Sequence, residues 1–229
     1  MQVGERAPMS TVLDLPPLEA ETLADLLKKL GNISPARIRA RPAPGTATVQ
    51  DVTSIERNEN RLYELVEGVL VEKPMGLRES LLAGVLISAL RAFVIPRNLG
   101  LVTAPDGTLE ILTGLVRIPD VAFVSWARLP KGKVPSEPVP HLAPDLAVEI
   151  LSRSNTPEEM ERKRREYFQA GASVVWLVDP DTRTVVVYTA PEQSKLLAEI
   201  DTLTGEPALA GFALPLTDLF SELDRHANP

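Results

Sequence analysis

Read only as apolar and polar positions, the chain changes period several times along its length. "LEAETLADLLKKLG" sets Leu23, Leu26, Leu27 and Leu30 at helical spacing and stops at Gly31, a usual helix C-terminal signal. "GLRESLLAGVLISALRAF" predicts a long helix with the stripe Leu82, Leu86, Ala89 and Phe93; Glu79 lies one turn before Leu82 on that stripe. Between them, "RLYELVEGVLVEK" has two apolar-alternating arms about Glu67-Gly68, which predicts a β-hairpin. "GLVTAPD", "GTLEIL" and "GLVRIPDVAFVSW" are short strand-like runs broken by Gly, Pro and Asp. Pro130, Pro135, Pro138, Pro140 and Pro144 make the stretch from Arg128 to Pro144 an irregular loop.

"DLAVEILSRSN" then predicts a buried strand, and the helix after it has clear start signals. Thr156 is the expected cap, Pro157 the first helical residue and Glu159 the capping-box acid, with Ala170-Gly171 as the stop. "VVWLV", the turn "DPDT" and "TVVVYT" predict a buried hairpin, and the last forty residues an edge hairpin plus the amphipathic "LPLTDLFSELDR". The stretch to about Pro16 has no period and is expected to be poorly ordered. "NISPARIRARPAPGTAT" is a Pro- and Gly-rich linker. Its alternating Arg37, Arg39 and Arg41 suit a solvated extended segment or a phosphate-contacting arm, the former being preferred. No internal repeat is visible. The element order predicts an α/β fold, a mixed domain around one sheet, and 229 residues suffice for one substantial core.

Composition narrows the chemistry. Hydrophobic content of 44% and charged content of 24% are ordinary for a soluble globular protein. No run of 18 or more apolar residues exists, so no membrane span is expected, and the N-terminus lacks a secretory pattern. A cytoplasmic location is the default expectation. Cysteine is absent, which removes disulfides, thiolate metal sites and cysteine nucleophiles together. With only His141 and His226, a multi-histidine zinc site is excluded. A net charge of −7 does not advertise a nucleic-acid binder, although a local basic strip can act within a Debye length.

Four ionisable residues nevertheless stand where the pattern calls for apolar ones. Asp120 shares a strand face with Ala122 and Val124, and Glu149 with Ala147 and Leu151. Glu79 is on the apolar stripe of the long helix, and Lys163 lies between Met160 and Tyr167 on the inner face of its own. Arg162, Arg164 and Arg165 are placed to face solvent. Burying such charges is costly unless they converge, and carboxylates converging without enough positive charge imply a bound cation. Oxygen donors without cysteine favour Mg²⁺ or Mn²⁺. Each residue also has a plainer reading. Asp120 could simply begin a strand, Glu149 face solvent on an edge strand, Glu79 answer the helix dipole, and Lys163 snorkel outward. Glu67 reads as a turn residue, Tyr167 as packing with its hydroxyl on a neighbour, and Trp126 and Trp176 as core aromatics.

The order of "YELVEGVLVEKPMG", "IPDVAFVS", "PDLAVEILSRSN" and "KRREYFQAGASVVWLVDP" resembles the Uma2 family (DUF820) of the restriction-endonuclease-like PD-(D/E)XK superfamily. The likeness runs from roughly Asp51 to Tyr188 and is most specific from Pro144 to Pro180. It implies a mixed central sheet flanked by helices over residues 51–229. Residues 1–50 would be an N-terminal extension with one helix and a Pro-rich linker. Asp120 then matches the motif aspartate and Glu149 the glutamate of the acidic-x-lysine motif. Glu79 matches the acidic position on the first core helix, where many relatives carry histidine. Leu151 stands where the general pattern has lysine; in Uma2-like sequences that lysine has moved to the following helix, which points to Lys163.

The resemblance implies a Mg²⁺- or Mn²⁺-dependent endonuclease acting on DNA. Asp120, Glu149 and the Ile150 carbonyl would hold the metal, Glu79 assist, Lys163 position water, and Tyr167 support the site. Arg153, Arg162, Arg164 and Arg165 would contact phosphate, and a homodimer would suit two-strand cleavage. The alternatives are a non-catalytic nucleic-acid- or protein-binding module that keeps the nuclease fold, and a hydrolase of some other phosphate ester.

Overall fold

A computed structural model describes residues 20–74 and 76–224. Helix α1 (Leu23–Lys29) starts at Thr22, whose hydroxyl accepts from the Asp25 N–H while the Asp25 carboxylate accepts from the Thr22 N–H. Thr48 and Asp51 repeat the device to start α2 (Val49–Glu59), a helix not expected from the sequence. Its buried stripe is only Val52 and Ile55, too short to announce a period. The predicted hairpin follows as β1 (Tyr63–Val66) and β2 (Val69–Glu72). Glu67 and Gly68 both have positive φ, as a tight two-residue turn requires. A Cβ on Gly68 would fall 2.6 Å from the Gly45 backbone.

The long helix α3 (Leu77–Val94) leads to β3 (Gly100–Thr103), β4 (Leu109–Leu112), β5 (Leu115–Arg117) and β6 (Val121–Ser125). After the proline-rich loop come β7 (Leu146–Ile150), α4 (Pro157–Gln169), β8 (Val174–Asp179) and β9 (Thr184–Ala190). β10 (Gln193–Ala198) forms the sheet edge. The hairpin of β11 (Thr202–Gly205) and β12 (Leu209–Pro215) is a separate two-stranded sheet, followed by α5 (Leu216–Phe220). The expected single edge hairpin is thus two features. The N-terminal stretch to Pro16 and His226 lie outside the described residues.

The main sheet runs β10-β9-β8-β7-β6-β3, with one parallel pair, β7 and β8, joined by the α4 crossover. Its two faces are covered differently. On one, Phe123, Leu146, Val148 and Trp176 pack against α3, β12 and α5. On the other, Val124, Ala147 and Val175 meet Tyr167 of α4, Leu26 of α1, and Val69, Val71 and Leu115 of a second sheet, β2-β1-β5-β4. α2 covers the outer side of that second sheet through Val52 and Ile55 against Tyr63, Leu65 and Val116. β1 is therefore buried at all four residues, not at alternate ones. No helix among the described residues is long and apolar enough to cross a membrane.

The segment read as a solvated linker is docked. Arg39 N–H donates to the Leu70 carbonyl, and the Gly45 and Ala47 N–H groups both donate to that of Gly68. Arg37 is buried in a two-pronged ion pair with Glu159 at 2.8 and 2.9 Å, and Arg39 pairs likewise with Glu59. Glu159 consequently is not the acid of a capping box: its carboxylate serves Arg37 and Asn155, while only its N–H is capped, by Thr156. The Thr156 hydroxyl also donates to the Gly31 carbonyl, tying α1 to α4. Thr156→Ala is expected to cost about 1–2 kcal/mol in urea unfolding, since one substitution removes the cap and this tether.

Candidate active site

Strand register brings the two predicted carboxylates together. β6 and β7 are antiparallel with Val121 opposite Val148 and Ala122 opposite Ala147, and the Asp120 N–H donates to the Val148 carbonyl at 2.9 Å. Asp120, Ala122 and Val124 therefore point to the same side as Ala147 and Glu149, the side covered by α4. On α4, Met160, Lys163 and Tyr167 are all buried, as their i+3 and i+4 spacing requires.

Lys163 Nζ sits 3.1 Å from Glu149 Oε2 and 2.9 Å from Glu64 Oε1. The Tyr167 hydroxyl donates to Glu149 Oε1 at 2.5 Å. A carboxylate 4% exposed in mid-strand is tolerated because each oxygen has a donor, one of them charged. Asp120 is held in the same way. Its Oδ1 is 2.9 Å from Lys73 Nζ and its Oδ2 accepts the Ile150 N–H at 2.7 Å. Lys73 also donates to the Ile118 carbonyl.

Glu79 comes from α3, which covers the opposite face of the sheet, and lines the same cavity as Glu149 and Ile150 at the end of β7. Gly76, the cap of α3, leaves the room its carboxylate takes: a Cβ there would be 1.9 Å from Glu79 Oε2. Among the described residues, no ion pair or hydrogen bond holds the Glu79 carboxylate. Lys73, Glu79, Asp120, Glu149, Ile150, Ser152, Asn155 and Lys163 share one small cavity of about 30 Å³, room for at least one water. Pro74, Gly76, Glu79 and Ser152 also line an adjoining groove of about 330 Å³, so the cavity continues toward the surface.

Burial pushes the Glu149 carboxyl above its ordinary range; Lys163 and Lys73 pull it back only in part, and Asp120 and Glu64 add to the rise. For Glu64, burial acts in the same direction but Lys163, Arg117 and Lys73 outweigh it and hold the group well below the carboxylate range. Burial disfavours the Lys163 ammonium, yet Glu149 and Glu64 more than offset this and raise its pKa. Lys163 is therefore a fixed cation between two carboxylates whose pKa values are shifted in opposite directions.

Four charged residues of this network were not singled out from the sequence: Lys73, Glu64, Arg117 and Glu166. Arg117 links Glu64, at 2.7 Å, to Glu166, which Arg162 also holds at 2.7 Å. Lys73 had a readable signal, because it continues the inward face of Val69 and Val71 at period two.

The arginines divide differently from the expectation that Arg162, Arg164 and Arg165 face solvent. Arg162 is half-buried and committed to Glu67, Glu166 and the Lys29 carbonyl. Arg164 is buried over the ring of Tyr188, which β9 brings against that side of α4. Arg165 is exposed and pairs with Glu161 on its own helix. Arg153 is exposed, lines the groove, and has no ion pair among the described residues.

No characterised, curated protein matches the chain. Among solved structures, it is similar to that of a protein from Anabaena variabilis described as "a putative nuclease belonging to DUF820". The two share 23% identity over 72% of this chain and 92% of that one, with a TM-score of 0.64. That likeness shows a shared fold, a mixed sheet flanked by helices. The Uma2 family, described as "Putative restriction endonuclease", matches residues 49–217. This span takes in the second sheet, both carboxylate-bearing strands, α3 and α4, so the chain belongs to the Uma2 family.

Proposed function

We propose that this protein is a divalent-cation-dependent endonuclease hydrolysing phosphodiester bonds of DNA. The observation that carries the reading is the meeting of Asp120, Glu149 and Glu79 with Lys73 and Lys163 around one small cavity that opens into a groove. Three carboxylates face two ammonium groups there, an excess of one negative charge at the wall. Among the described residues no three acidic or histidine side chains stand close enough to hold an ion alone. The donor set is nonetheless suited to Mg²⁺ or Mn²⁺. Each oxygen of Asp120 and Glu149 accepts one hydrogen bond or ion pair and keeps a second lone pair. Asp120, Glu149 and the main-chain carbonyl of Ile150 would hold the ion.

When bound, such an ion activates water and neutralises charge on the phosphoryl group. The chain's own residues would do the rest. Lys163, kept protonated by Glu149 and Glu64, donates hydrogen bonds and supplies fixed positive charge; it does not take a proton. Glu79, without a hydrogen-bond or ion-pair partner among the described residues, is placed at the cavity wall to orient water or take its proton. Arg153, exposed on the groove, is placed to meet a phosphate. Supercoiled plasmid incubated with the purified protein is expected to be nicked with Mg²⁺ or Mn²⁺ and left intact with EDTA. Undiminished nicking in EDTA would sink the reading.

One observation favours a second reading, a binding module without turnover: Asp120 and Glu149 each already have a lysine. In that case DNA is bound, never cut, and Glu149→Gln leaves the affinity unchanged.

The raised Glu149 pKa sets a pH dependence. Protonated Glu149 cannot ligate a cation, so Mn²⁺ affinity is expected to appear only as pH rises through a value above the ordinary 4.5 of glutamate. Tyr167→Phe removes a donor to the carboxylate and should move this limb upward, as followed by Mn²⁺ relaxation titrations. The same shift makes Glu149 a stabilising group below 4.5 whose contribution is lost as pH rises through the raised value. Glu64, with its lowered pKa, behaves oppositely and loses its contribution as pH falls.

A further inference from the structure

A larger groove of about 650 Å³ lies on the other side of the loop after β7 and shares Ser152 and Asn155 with the small cavity. Its floor contains Arg164, which is 8% exposed yet poorly partnered. Arg164 Nε is buried and has no hydrogen-bond partner among the described residues. Its guanidinium lies 4.5 Å over the Tyr188 ring, and the carboxylate of Glu192 is 3.7 Å away, beyond hydrogen-bond reach. A buried guanidinium so placed is costly, and a ligand offering acceptors would offset that cost.

The surrounding acids narrow the ligand. Glu161 is held by Arg165, Asp181 by Arg78, and Asp179 by the N–H groups of its own turn. Glu192, mostly exposed, is left beside Arg164, so the groove presents a donor next to an acceptor. Met160 and Leu177 supply apolar wall. A bare phosphate would meet the carboxylate as well as the guanidinium. A flat, neutral ring carrying acceptors beside donors suits both. Guanine has O6 and N7 for the guanidinium and, adjoining O6, N1–H and the 2-amino group for the carboxylate. A base can reach such a groove only when it is unpaired or turned out of its helix.

We propose that this groove binds an unpaired guanine base of the nucleic acid whose backbone lies across the catalytic cleft, with Arg164 and Glu192 reading its edge. The proposal rests on the nuclease reading for its backbone placement alone. The test uses the full chain carrying Asp120→Asn, so that bound strands stay intact, and fluorescence anisotropy of labelled pentathymidylates with each base in turn at the centre. Uridine-based RNA counterparts form a second arm. A central guanine is expected to bind at least tenfold tighter than a central thymine, and Arg164→Met should reduce that preference to within twofold. Glu192→Gln, at an exposed position that folding does not depend on, should do the same while leaving the all-thymine strand unaffected. A stronger preference in the RNA arm would keep the base site and identify RNA as its source. Equal affinity for all central bases, or a guanine preference untouched by Glu192→Gln, would overturn the proposal. Plasmid nicking by the wild-type chain without base preference sinks this site and spares the nuclease; guanine preference without any nicking does the reverse.

Discussion

Asp120→Asn is expected to lower metal-dependent plasmid nicking by roughly 10²–10³-fold or more, the scale of losing one charge-stabilising group from a preorganised site. The substitution keeps the shape of the side chain but not its donor–acceptor balance. Asp120 accepts from Lys73 on one oxygen and from the Ile150 N–H on the other. An asparagine offers one acceptor and one donor, so whichever way its amide turns, an N–H group faces either an ammonium or a backbone N–H. Lys73, itself buried, then loses its anion, and the wall of the cavity loses one negative charge. A stability loss of about 1–3 kcal/mol should accompany the loss of activity. Circular dichroism should stay native, because the core faces of β6 and β7 do not involve the Asp120 side chain. Comparing Mn²⁺ affinity with turnover separates the roles. If Asp120→Asn bound Mn²⁺ as the wild-type chain does and still failed to nick DNA, Asp120 would not be a ligand.

Glu79→Gln provides the contrast within the same cavity. Glu79 has no partner to strand among the described residues, so its change should leave stability within about 0.5 kcal/mol while slowing nicking. An effect on rate without an effect on folding would place Glu79 with the water and not with the scaffold.

What could be read from the chain depended on whether a residue's surroundings were local. β7 and α4 were legible because their signals are near in sequence: an apolar run interrupted by one glutamate, then Thr156-Pro157 and a Met160, Lys163, Tyr167 stripe. Asp120 and Glu149 were visible as charges out of place in period-two patterns. Glu64 was not. In an alternating hairpin it reads as the outward residue, and only the docking of β1 between α2 and α4 turns outward into buried. Arg117 lies in a three-residue strand too short to show a face. Glu159 matched a capping box, yet a two-pronged pair with Arg37, far away in sequence, won its carboxylate over a single backbone N–H. Arg164 failed for a similar reason. Its helix alone would leave it in water, and strands that follow α4 in the chain provide the cover.

The buried network behind the cavity carries the largest expected effect on folding. Arg117 is 3% exposed and stands between Glu64 and Glu166, both buried. Arg117→Met fits the volume but leaves two carboxylates facing an apolar thioether, and breaking a buried pair in this way costs about 3–5 kcal/mol. Since whole domains are stable by roughly 5–15 kcal/mol, urea midpoints should fall by a large fraction of their value. The loss should not be uniform in pH. Arg117 is among the cations that hold the Glu64 carboxyl low, so without it that group regains protons more readily, and the stability gap between variant and parent should narrow as pH falls. Adding Glu64→Gln and Glu166→Gln to Arg117→Met should restore much of the lost free energy, because neutralising both carboxylates that Arg117 held removes the charge its loss strands. Activity should not return with it. Glu64 is one of the two carboxylates that keep Lys163 between them, so its removal leaves the ammonium paired with Glu149 alone and no longer braced on its second side. A triple variant that is as stable as the parent and as active would mean that this network only holds the fold; one that is stable and slow would mean that it also aims Lys163.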